Sequence, residues 1–131
     1  METPMNYALR LLKIKNYYIK EIFDKLSKKY TPVQVHSTIK ELILNDYIND
    51  KKLIKLKMNY FVYVKRYSKK YIKNYFEIKG ISSILINNSL NNYSEDVFLS
   101  NRIKIIENLK LKGKSENHIK KYLIRNGYDE E

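Results

Sequence analysis

The sequence predicts an all-α protein, an elongated, curved array of three tandem three-helix repeats whose last repeat lacks its third helix. Three observations carry this reading. Apolar residues return with a helical period along most of the chain, one helix signature occurs three times, and the three glycines stand singly at predicted helix ends.

The first repeat opens with a short helix from Tyr7 to Ile14 that turns Ala8, Leu11 and Leu12 inward. The clearest segment follows, Tyr18 to Lys28, where Ile19, Ile22, Phe23 and Leu26 fall on one face and Lys20, Glu21, Asp24 and Lys25 on the other. Thr31 and Pro32, an N-cap residue before a proline at the first helical position, start a third helix that carries Val35, Ile39, Leu42 and Ile43 inward. The same unit then recurs. Ser68, Ile72, Phe76, Gly80 and Ile81 match Ser115, Ile119, Leu123, Gly127 and Tyr128 position for position, and Tyr18, Ile22, Leu26, Tyr30 and Thr31 form a divergent first copy. Serine caps such a helix, the two apolar residues are buried one turn apart, and glycine supplies the left-handed residue that ends it. In this frame, Asp50 to Arg66 and Ser94 to Lys112 are the first helices of repeats two and three, and Ser82 to Asn92 is the third helix of repeat two. Phe98, Ile105, Ile106 and Leu109 supply the apolar stripe of the last repeat, and Tyr128-Asp129-Glu130-Glu131 end it. The expected boundaries are residues 1–49, 50–93 and 94–131.

Composition narrows the function. Twenty-six Lys and Arg against 14 Asp and Glu leave a net charge of +12, a field that attracts polyanions. Cysteine is absent, which excludes disulfides, thiolate metal sites and cysteine nucleophiles and fits a reducing compartment. With no secretory pattern at the N-terminus and no apolar run of membrane-spanning length, a cytoplasmic location is expected. His36 and His118 lie in different repeats, outside any metal-ligand spacing, so His36 reads as an exposed helix residue and His118 as a neighbour of buried Ile119. Isolated glycines build no phosphate-cradling loop. Asp50, after Asn49, reads as the cap of the next helix. No active site and no cofactor are expected.

Basic residues remain as the functional candidates. Lys65, Arg66, Lys69, Lys70 and Lys73 cluster at the middle repeat joint, Lys120, Lys121 and Arg125 near the end, and a thinner group, Arg10, Lys13 and Lys15, at the start. Such clusters would contact phosphates as point charges, without base specificity. Tyr60, Tyr63, Tyr67, Tyr71 and Tyr75 are interleaved with them and could stack on bases, although a tyrosine stripe at helical spacing is more often core with hydroxyls at its rim.

At these residues the chain resembles the recombination regulator RecX family. The motif of its first repeat, A-x3-L-x2-R-x2-S-x2-E-L-x3-L, stands here as Ala8, Leu12, Lys15, Tyr18, Glu21, Ile22 and Leu26, with Lys for Arg, Tyr for Ser and Ile for Leu. The repeat junction is Tyr47-Ile48-Asn49-Asp50, and the middle signature is intact at Lys79-Gly80-Ile81. The terminal motif reads Tyr122-Leu123-Ile124-Arg125-Asn126-Gly127-Tyr128, with Asn126 in place of a second arginine and Tyr128 in place of phenylalanine. The resemblance implies a protein that lies in the groove of the RecA nucleoprotein filament on single-stranded DNA and bridges neighbouring protomers; a monomer is expected, with duplex DNA as a further partner and no membrane. It would inhibit ATP hydrolysis and strand exchange and so modulate homologous recombination, DNA repair and the SOS response. The contacts expected from charge and position are Lys65, Arg66, Lys69, Lys70, Lys73, Lys120, Lys121 and Arg125.

A winged-helix transcription regulator is the alternative. It would use Thr31 to Leu44 as a recognition helix, presenting Gln34, His36, Ser37 and Lys40 to the major groove. It also needs a β-hairpin wing over Leu53 to Lys65, a stretch rich in strand formers. A protein-binding scaffold that ignores DNA is a third reading.

Overall fold

The computed structural model describes residues 2–128, and all regular structure among them is helical. In chain order the elements are α1 (Pro4–Ile14), α2 (Ile19–Ser27), α3 (Pro32–Leu44), α4 (Asp50–Tyr60) running into a π-helical turn (Phe61–Lys65), α5 (Lys69–Ile78), α6 (Ser83–Leu90), α7 (Glu95–Leu111) and α8 (Glu116–Arg125). The order follows the repeat phase read from the sequence. Segment 53–65 is helix throughout, so the hairpin wing of the alternative reading is not formed. Asp129 to Glu131 lie outside the described residues.

Packing divides the chain into two units. One runs to Leu53 and includes Lys79–Ile81; the other comprises Ile54–Ile78 and the chain from Ser82 onward. In the first, the starts of α1 and α3 are satisfied locally. Thr3 accepts from the Asn6 N–H at 3.1 Å ahead of Pro4, and Thr31 and Gln34 cap each other's backbone N–H groups at 3.3 and 3.0 Å. Ala8, Tyr17, Ile22, Leu26, Val35, Ile39, Leu42 and Ile48 form the core. A fully buried aliphatic side chain such as Leu26 or Leu42 contributes roughly 1.5–3 kcal/mol.

Two residues expected inside are not. Phe23 and Ile43 are exposed, Phe23 with its ring edge-on to the exposed His36 at 5.8 Å. On α2 the buried positions are Ile22 and Leu26, and on α3 Thr38 is buried beside Val35, Ile39 and Leu42.

The cap at the Asn49-Asp50 junction also differs from expectation. Asn49, not Asp50, caps α4, its side-chain oxygen accepting from the Lys52 N–H at 3.2 Å. Asp50 reaches back 31 residues and accepts from the Ile19 N–H, the first residue of α2, at 2.9 Å. The adjacent orphan donor, the Tyr18 N–H, goes to Glu21 at 3.0 Å. The first copy of the signature has tyrosine where the others have serine, and these two carboxylates do the capping instead.

In the second unit, Ser68, Ser82 and Ser115 accept from the N–H groups of Tyr71, Leu85 and His118 at 3.1–3.3 Å and so start α5, α6 and α8. Ile54, Met58, Val62, Ile72, Phe76 and Ile86 are buried nearly completely, and Ile105, Leu109, Ile119, Leu123 and Tyr128 form a cluster of their own. The expected continuous helix from Asp50 to Arg66 changes pitch at Phe61. Its wider turn is held by buried Asn101 of α7, whose side-chain N–H donates to the Val62 carbonyl at 2.7 Å. Arg66 then stops the helix in a left-handed conformation, φ 55°.

Candidate functional site

The motif residues of the first unit meet one another. Lys79 pairs with Glu21 at 3.2 Å, Gly80 (φ 83°) lies against the Lys20 side chain, and Ile81 is buried. Burial pushes the Glu21 carboxyl up, but the Tyr18 N–H and Lys79 outweigh it and hold the group below its ordinary value. Burial leaves Asp50 above its own. Both carboxylates serve the start of α2. The thin basic group of this unit is largely engaged, with Arg10 bonded to Glu2 at 2.9 and 3.1 Å and the Lys15 ammonium 4.5 Å from the Tyr17 ring.

The eight candidate cations all belong to the second unit, and the structure separates them. Lys69 is half-buried, ion-paired with Glu95 and 5.4 Å from the Phe98 ring, so much of its charge is spent within the unit. Arg66 is half-buried, and its carbonyl accepts from the Tyr128 hydroxyl at 2.8 Å. Lys65 is exposed, 5.9 Å from the Tyr60 ring. Lys70 and Lys73, three residues apart on α5, and Lys121 and Arg125, four apart on α8, are exposed. Lys120 is exposed beside them in sequence.

Lys70 and Arg125 come together across a cleft of about 400 Å³ between the start of α5 and the end of α8. Tyr71, Asn74, Ile124 and Tyr128 share its lining. The joint beneath is close-packed. Ser68 N–H donates to the Asn126 carbonyl at 3.0 Å, and Gly127, φ 91°, stands where a Cβ would lie 2.1 Å from the Ser68 hydroxyl. Burial pushes the Tyr128 hydroxyl up to about 12. The terminal motif thus builds one wall of the cleft and the serine of the repeat signature anchors the other.

The tyrosine stripe divides. Tyr67, Tyr71 and Tyr75 are half-buried, Tyr67 and Tyr71 stacked at 3.8 Å with their planes 21° apart, while Phe61 lies edge-on to Tyr67 and Tyr75. Tyr60 and Tyr63 are exposed. Burial first, and then the hydroxyl of Tyr71, raise Tyr67 to about 12. Asn74 is the lining residue that charge and periodicity overlooked; its position one turn beyond Lys70 on α5 is the signal that could have found it.

Cations, an amide and aromatic faces can bind an anion and hold a planar group. Among the described residues no group of three or more His, Asp or Glu gathers that could hold a metal ion. No helix among them is long and apolar enough to cross a membrane.

No protein-family profile matches the sequence, and no curated protein aligns with it significantly. Solved structures do match. The crystal structure of RecX from Lactobacillus salivarius superposes with a TM-score of 0.79 at 26% identity, covering 96% of this chain and 86% of that one. A crystal structure of a regulatory protein RecX gives a TM-score of 0.75 over 96% of this chain and 66% of that one; at 18% identity this is an agreement of fold. In fold, and over nearly its whole length, this chain is similar to the RecX of Lactobacillus salivarius, and the phase of its repeat motifs agrees with that likeness.

Proposed function

We propose that the chain is a non-enzymatic regulator that binds the RecA filament on single-stranded DNA and slows its ATP hydrolysis and strand exchange. The observation that carries this reading is the likeness of nearly the whole chain to a RecX structure, reached independently of the motif resemblance. A net charge of +12, with exposed Lys70, Lys73, Lys120, Lys121 and Arg125 on two helices of one unit, supports a polyanionic partner. Lys65 stands at the rim of this group in sequence; Arg66 and Lys69 act through the packing of the joint. We place the protein in the cytoplasm, as a monomer, with three repeats over residues 1–49, 50–93 and 94–131. Binding would shift the filament toward a state that turns over slowly, by differential affinity for that state.

The test is RecA ATPase on single-stranded DNA, with and without the purified protein, at two salt concentrations. Inhibition near stoichiometric amounts that outlasts the salt level abolishing binding to bare DNA is the expected result. Unchanged hydrolysis at saturating protein refutes the proposal. The transcription-regulator alternative loses its wing to α4 and the π-helical turn.

A further inference from the structure

We infer that the cleft between α5 and α8 is a subsite for one nucleotide of a single-stranded nucleic acid, the phosphate held between Lys70 and Arg125 and the base set against Tyr71 within reach of Asn74. The inference rests on the regulatory reading above and assigns one of its contacts to the strand itself.

Size and chemistry agree. About 400 Å³ falls at the small end of ligand clefts, enough for one nucleotide and too little for a folded protein element. The described lining carries two cations and no carboxylate, so an anion meets no repulsion there. An acidic side chain would be served by the cations alone. Asn74 and the aromatic wall suit a base, since an amide both donates and accepts and a tyrosine ring offers a stacking face.

The cleft is also preformed. Tyr71 is fixed by its stack on Tyr67, and the walls are tied by the Ser68–Asn126 backbone bond and by Tyr128 bonding to Arg66. Gly127 leaves no slack, since a Cβ there would overlap Ser68 and Tyr71. Little ordering cost is then left for binding. A duplex keeps its bases stacked inside and offers this cleft phosphates alone, so an unpaired strand gains a contact that a duplex does not.

Fluorescence anisotropy with labelled oligo(dT) and a duplex of equal length tests this, using the full chain, Lys70→Ala, Arg125→Ala and Asn74→Leu, each checked for an unchanged thermal melt. The wild-type chain is expected to prefer the single strand. Each cation variant should weaken single-strand binding roughly fivefold to tenfold and flatten its salt dependence by about 0.7 in log–log slope. Asn74→Leu should weaken it without changing that slope, a split that loss of structure does not produce. Wild-type affinity in all three variants, no single-strand preference, or no measurable binding by the wild-type chain overturns the inference. RecA ATPase run in parallel separates the two readings. Variants that keep oligonucleotide affinity but lose inhibition mean that the cleft receives an acidic group of the filament protein, so the inference falls and the regulatory reading stands. Variants that lose the strand, beside a wild-type chain that never inhibits, leave the subsite standing and remove the regulatory reading.

Discussion

Gly127→Ala tests whether the terminal motif is a packing device. Two costs are expected. Forcing a residue with a Cβ to φ 91° costs about 1–2 kcal/mol, and placing that Cβ 2.1 Å from the Ser68 hydroxyl and 2.8 Å from the Tyr71 Cβ adds the roughly 1–3 kcal/mol typical of overpacking. Neither neighbour yields easily, since the Ser68 hydroxyl is held by the Tyr71 N–H and Tyr71 is stacked on Tyr67. Gly113 provides the control. Its φ is 75°, but nothing lies within 4 Å of a Cβ there, so Gly113→Ala bears the first cost only. Urea unfolding followed by the near-ultraviolet tyrosine signal should therefore place Gly127→Ala about 1–3 kcal/mol below Gly113→Ala. Equal losses in the two variants would refute the argument that this glycine exists to let α8 close on the start of α5.

Three further outcomes follow from the hydrogen bonds. Asp50→Ala should cost about 1–2 kcal/mol in denaturant midpoint analysis because the Ile19 N–H loses its acceptor, whereas Asp50→Asn, which keeps an acceptor and removes a charge that burial disfavours, should match or exceed the wild-type stability at neutral pH. Asn101→Leu should cost roughly 1–3 kcal/mol by stranding the Val62 carbonyl, and amide exchange should accelerate first across Phe61–Lys65. Tyr128, whose folded value of about 12 lies above its unfolded value near 10, contributes stability that is complete below about pH 10 and lost as pH rises through 12. Tyr128→Phe should thus make the alkaline loss shallower by about 2–3 kcal/mol, at a cost of about 0.5–1.5 kcal/mol near pH 7, checked by melts over an alkaline series.

Most helices were readable from the chain because their signals are local. Thr31 before Pro32 and the serines at 68, 82 and 115 start helices, and the left-handed glycines at 80 and 127 end them, by signals that lie within one turn of the helix end they mark. What escaped was set by residues far apart. Asp50 looked like the cap of the helix it begins, and its partner 31 residues earlier carries no mark in the sequence. Asn101 lies within an amphipathic helix, and only the folded chain reveals that it widens a turn at Val62. Charge alone ranked Lys69 with Lys70, yet Glu95 and Phe98 occupy the first while the second lines a cleft. Phe23 and Ile43 satisfied the helical period and still face water, because periodicity reports a face and not the width of what covers it.

The bond from Asp50 to α2 bears on how the chain is made. A ribosome releases residues in order, and α2 emerges about thirty residues before the carboxylate that closes its first turn. Lys79, Gly80 and Ile81, which complete the same unit, arrive only after α5. The unit that begins first is therefore finished late, and a nascent chain halted between α4 and α5 holds an α2 whose glutamate still awaits its lysine. Vectorial synthesis and spatial completion run out of step here, so arrest peptides placed near residues 48, 60 and 85 should find the first unit's protection against protease rising in two stages.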